Sequence, residues 1–143
     1  MNGIDSAWPS IGWRRSLGRI VLALSLTVAV AGALAPQPAM AWLREAIPGF
    51  ATAWDWLDAS LPWFNPLHAI VFAWLAWLWQ ELISRRSRWR MPVALIGMGV
   101  VCEWLQHFVP GRQPRVSDVV SDALGIAIGA ALAATIEFVR GRR

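Results

Sequence analysis

The run VVSDALGIAIGAALAATIEFV, residues 119–139, decides how the rest of the chain is read. It holds two carboxylates, Asp122 and Glu137, each near an end, and no basic residue. About 20 apolar residues suffice to cross the hydrocarbon core of a bilayer as a helix, and this run meets that length. Helix is the form expected, because a lone strand in lipid leaves its backbone groups without partners. Gly125 and Gly129 stand four apart with Ala133 following, so small residues share one face. Such spacing lets a second helix backbone approach closely, and helix packing is its expected role.

Working outward, three further apolar blocks precede this one, at residues 18–35, 67–83 and 91–109. Apolar residues make up 57% of the 143 and charged residues only 15%, against roughly 25% charge in a soluble domain. The thirteen basic residues are all Arg and sit between the blocks rather than along a polar face, which points to membrane topology and away from nucleic acid. With the N-terminus inside, ten Arg fall on the inner side and three (Arg44, Arg112, Arg115) on the outer, as the positive-inside rule favours. The expected fold is therefore an all-α integral membrane protein: a four-helix transmembrane bundle forming a single domain over residues 1–143. The expected location is a bacterial inner membrane, crossed several times, with both termini cytoplasmic and membrane lipids as partners. Cys102 is the only cysteine, so an intrachain disulfide is excluded. No phosphate-binding loop, dinucleotide fingerprint, paired-cysteine motif or nucleophile elbow occurs, no cofactor is evident, and the oligomeric state is not legible.

Two readings of the first block stand side by side. Arg14, Arg15 and Arg19 followed by apolar residues and then Ala39-Met40-Ala41 fit a cleavable signal peptide as well as an uncut anchor. Pro36 and Pro38 end the helix under either reading. Residues 42–64 carry an apolar stripe at helical spacing, interrupted by Arg44, Glu45, Asp55 and Asp58. With Trp42, Trp54, Trp56 and Trp63, the segment reads as amphipathic and interfacial, broken into two short helices at Pro48-Gly49.

The polar residues inside the apolar blocks separate into two groups. Gln80, Glu81 and Glu137 lie near inner helix ends beside Arg clusters and read as ion-pair partners. His68, Glu103, Gln106, Arg112, Arg115, Asp118 and Asp122 instead all fall at the outer level when the chain directions are followed. Glu103 sits about 9 Å below the outer end of its block at 1.5 Å per residue. A carboxylate at that depth needs a cation, a donor or a proton, and His68 and Arg112 are the partners within sequence reach. The cluster reads either as a polar clasp that fixes helix order or as a pocket open to the outer side.

The spacing of these residues resembles the VanZ-like family of small bacterial membrane proteins, named for a protein associated with teicoplanin resistance. His68 with Phe72, Glu103-x-x-Gln106, the turn Pro110-Gly111-Arg112, and Asp118 in register with Gly125 and Gly129 follow the family pattern over about sixty residues. Two positions depart from it. Phe64 and Asn65 stand where relatives carry Asp-Lys, and Asp122 stands where they carry Asn. The resemblance implies a cell-envelope role of the glycopeptide-resistance type. Three functions compete on this reading. One is a binding protein whose His68, Glu103, Gln106, Arg112, Asp118 and Asp122 receive an anionic lipid-linked envelope precursor or a glycopeptide-like ligand, with Arg112 and Arg115 holding the anion. Another is a membrane-embedded enzyme on such a substrate, with Glu103 and His68 as acid and base and with Asp118, Asp122 and Glu103 able to hold a divalent cation. The third is a structural assembly subunit packing through Gly125 and Gly129.

Overall fold

The computed structural model of the chain describes residues 12–82 and 88–141. In chain order the helices are α1 (Gly12–Ala33), α2 (Gln37–Ala46), α3 (Phe50–Ser60), α4 (Pro66–Leu82), α5 (Arg90–Gln106) and α6 (Val116–Gly141). No strand occurs among the described residues. Arg85, Arg86, Arg142 and Arg143, which weighed in the orientation reading, lie outside them.

The expected four-helix transmembrane bundle is not what forms. Among the described residues there are six helices, and only two are long and apolar enough to cross a membrane, the Ser16–Ala33 stretch of α1 and the whole of α6. Length is the physical reason. At 1.5 Å per residue the 17 residues of α5, and the 17 described residues of α4, reach about 25 Å, short of a roughly 30 Å core. The expected block at residues 91–109 ends early as a helix. His107, Phe108 and Val109 donate to carbonyls three residues back, a tight closing turn that ends α5 at Gln106. Helix α6 is instead longer than the apolar run that announced it, at 26 residues or about 39 Å.

Small residues set the closest helix approach. Helices α4 and α6 form the most extensive pair in the fold. A Cβ added at Gly125 would fall on the Ala69 carbonyl, and one at Gly129 on the Ala73 carbonyl. The two helices therefore run in the same direction, backbone against backbone. Helix α5 lies against α6 in the opposite sense, with Glu103 near Arg115 at one end and Arg88 bonded to Glu137 at 2.6 Å at the other. Helix α1 runs opposite to α4, since Gly18 meets Leu82 and Trp74 Nε1 donates to Ser25 Oγ at 3.2 Å. Leu22, Phe72, Leu75, Leu78, Met91, Leu95 and Ile126 fill the space between.

Helix α6 carries its polarity inward. Ser121, Asp122, Gly125, Ile126, Gly129 and Ala133 are buried, whereas Val120, Leu124, Ile128 and Leu132 are exposed at four-residue intervals. An apolar stripe facing out and a buried carboxylate facing in is the arrangement a bilayer favours, and a large exposed apolar face would be a liability in water.

Helices α2 and α3 pair with each other through an Arg44–Asp55 ion pair, and the break between them falls at residues 47–49, where Gly49 takes a φ of 76°. Ala39-Met40-Ala41 lie within α2, and Pro38 occupies its first turn, where a missing N–H costs nothing. Trp42, Trp56 and Trp63 are exposed.

Candidate functional site

The site gathers at the end of the fold where α4 and α6 begin and α5 finishes. Asn65 starts α4: its Oδ1 accepts the His68 backbone N–H at 3.4 Å, and Pro66 follows as the first helical residue. The Asn65 backbone N–H donates to Ser121 Oγ at 2.9 Å, which ties the start of α4 to α6. Ser121 in turn donates to the Ser117 carbonyl. His68 is thus held from two sides, and its ring stacks on Phe72 at 6.4 Å with the planes 11° apart.

Both ring nitrogens of the imidazole meet carboxylates from α6. His68 Nδ1 lies 2.8 Å from Asp122 Oδ1, and Nε2 lies 3.7 Å from Asp118 Oδ2. Asp118 and Asp122 are one helical turn apart, so the ring fits between them. Asp118 stands in the first turn of α6, where the helix dipole favours an anion. Asp122 is wholly buried beside Gly99, and a Cβ there would strike its Oδ2.

Glu103 enters from α5 with 7% of its surface exposed. Its Oε2 accepts the Arg115 backbone N–H at 2.8 Å, while Oε1 has no hydrogen-bond partner among the described residues. Among the described residues no guanidinium, Arg112 included, forms an ion pair with Glu103. One donor atom from each of His68, Glu103 and Asp118 lies within 4.8 Å of the others.

The expected residues therefore divide. His68, Glu103, Asp118 and Asp122 come together. Gln106 and Arg112 do not join them; they hold the end of α1. Gln106 Nε2 donates to the Ala33 carbonyl at 3.1 Å, and Arg112 donates from Nε to Ala35 and from a terminal nitrogen to Gly32, both at 2.9 Å. The Gly32 and Ala33 carbonyls close α1 and Ala35 follows just beyond it, so the two side chains act as its C-terminal cap. Arg115 places its backbone in the site and its side chain in solvent. Asn65 and Ser121 were missed in the sequence. The Asn-Pro pair that opens α4 is a helix-start signal and marks Asn65, but nothing local marks Ser121 as its partner. The recess lined by Thr135, Ile136, Val139 and Arg140 belongs to the opposite end of α6 and has no part in this site.

Fold and site together define a helical membrane protein with a histidine enclosed by carboxylates near one end of its longest helix. A family model described as VanZ/LLP1 matches residues 13–137, nearly the whole chain, and the chain belongs to that family. It is accordingly an inner-membrane protein of the VanZ-like kind. No curated protein and no solved structure matches it.

Proposed function

We propose that the chain is a cell-envelope protein that receives the headgroup of a lipid-linked envelope precursor, or the comparable part of a glycopeptide, at the end where α4 and α6 begin. One observation carries this reading: His68, Glu103, Asp118 and Asp122 converge where α6 begins, which is the headgroup level if α6 spans the membrane. Imidazole and carboxylates suit the hydroxyl, amide and amine donors of a sugar–peptide headgroup. A phosphate on the same ligand would meet the exposed Arg115 at the rim, since Arg112 is engaged with α1. Trp42, Trp56 and Trp63, exposed on and after α2 and α3, suit a position at the headgroup level. In this reading α1 and α6 are the spans and run in opposite directions. Both termini then lie on the Arg-rich cytoplasmic side, and the site faces outward.

A second reading is favoured by the His68–Asp122 bond. A carboxylate on Nδ1 fixes the tautomer and leaves Nε2 as a base, the relation found where a histidine moves a proton. On a bound headgroup, His68 would take a proton from a substrate hydroxyl or a water, with Glu103 or Asp118 on the other side of the transfer.

The functional reading is tested by teicoplanin susceptibility of a sensitive bacterial host expressing the chain. Expression of the wild type is expected to raise the inhibitory concentration, and Glu103→Gln at equal membrane abundance to abolish the rise. An unchanged susceptibility with abundant wild-type protein contradicts the glycopeptide reading.

A further inference from the structure

We propose that His68, Glu103 and Asp118 form a site for one first-row divalent cation, Zn2+ or Mn2+, with Asp122 holding the imidazole in the ligating orientation. The inference stands on the geometry of these four residues and does not depend on which headgroup the protein receives.

Three donors already face one another. The His68, Glu103 and Asp118 atoms lie within 4.8 Å of each other, with Nε2 to Asp118 Oδ2 at 3.7 Å. Bonds of about 2.0–2.2 Å to such a cation place its ligands about 3–4 Å apart, so a contraction of about 1–2 Å at most brings all three donors into ligating range and leaves the remaining positions to water. These donors are not loose surface acids. Glu103 is nine-tenths buried, and the His68 and Asp118 side chains retain only 20% and 14% of their exposure.

The independent observation is Glu103 Oε1. This buried oxygen has no hydrogen-bond partner among the described residues, while its twin Oε2 is held by the Arg115 N–H. Protonation would turn the oxygen into a donor and leave it competing for the site's own carboxylates and imidazole. A bound cation satisfies the oxygen and offsets the charge of three carboxylates around one imidazole.

The His68–Asp122 bond supplies the supporting shell. A histidine that ligates through one nitrogen commonly donates its other N–H to a carboxylate, which fixes the tautomer and strengthens the ligand. Asp122 therefore acts through His68 and is not itself a ligand, which differs from the set of Asp118, Asp122 and Glu103 that spacing alone suggests. The imidazole also selects the ion. Ca2+ and Mg2+ take oxygen donors, whereas one nitrogen with two carboxylates suits Zn2+ or Mn2+.

The test uses the full chain, purified in detergent, stripped with a chelator and dialysed against Zn2+ or Mn2+ alone. One cation per chain is expected, with a chelator-reversible rise in melting temperature. Glu103→Gln and Asp118→Asn should each lose binding, and Asp122→Asn should weaken it about 10–100-fold. Glu81→Gln, at the opposite end, should leave it unchanged. With Mn2+ bound to the wild type, pulsed electron paramagnetic resonance should show nitrogen coupling from one imidazole, a readout that requires no variant to fold. A wild type that binds neither ion, or that prefers Mg2+ or Ca2+, overturns the proposal, as does binding that survives in Glu103→Gln or shows no nitrogen coupling.

Discussion

His68 Nδ1 and Asp122 Oδ1 lie 2.8 Å apart across the α4–α6 boundary, and the carboxylate has no exposed surface. The pair joins the start of one helix to the first turns of another and directs the free imidazole nitrogen toward Asp118 and Glu103. Removing one member leaves the other buried without its partner. Asp122→Ala should therefore cost about 3 kcal/mol. In a double-mutant cycle with His68→Ala, measured by reversible unfolding in detergent, the two losses should fall short of adding. Additive losses would show that the pair is not coupled.

Helix packing gives a prediction with a built-in control. Gly125→Ala sets a methyl against the Ala69 carbonyl and should destabilise by about 1–3 kcal/mol. Gly97→Ala in α5 meets nothing within 4 Å and should be neutral or stabilising by up to about 1 kcal/mol, because alanine is the better helix former. Thermal melts of the two variants in one detergent should move in opposite directions or differ by several degrees.

The turn before α6 depends on one glycine. Arg112 donates its backbone N–H to the Val109 carbonyl, and Gly111 between them has a φ of 77° after Pro110, a type II turn. Gly111→Ala should cost about 1–2 kcal/mol of backbone strain. Its Cβ would also press on Gln37.

The end of α1 should be separable from the rest. Arg112→Ala and Gln106→Ala remove the side chains that donate to the carbonyls of Gly32, Ala33 and Ala35. Hydrogen exchange by mass spectrometry should quicken in the last turn of α1, with α4 and α6 unchanged. Protection lost throughout the chain would mean that these residues hold the site itself.

What the sequence disclosed follows from local signals. The Gly125/Gly129 spacing, the break at Pro48-Gly49 and the shared level of His68, Glu103, Asp118 and Asp122 rest on helical period and chain direction, and both act within a few residues. Helix length was harder to read. The apolar run 91–109 looked like a span, but its last residues close into a tight turn, and hydrophobicity does not register where hydrogen bonding changes. The partners of Glu103 and Arg112 were also illegible. Both chose backbone groups, the Arg115 N–H and the α1 carbonyls, and backbone groups carry no signature in a sequence. Asp122, a departure from the family pattern, became interpretable only once its distance to His68 was known.

His68, Glu103, Asp118 and Asp122 are expected to serve one headgroup-binding site. Native mass spectrometry of the purified chain, titrated with a short-chain polyprenyl-diphosphate-linked sugar–peptide and with phosphatidylglycerol as the comparison lipid, tests it most directly. The wild type is expected to retain one precursor molecule in preference to phosphatidylglycerol, and Glu103→Gln and Asp118→Asn to retain it at least tenfold more weakly. Equal retention of both lipids, or precursor binding that the two substitutions leave intact, contradicts it.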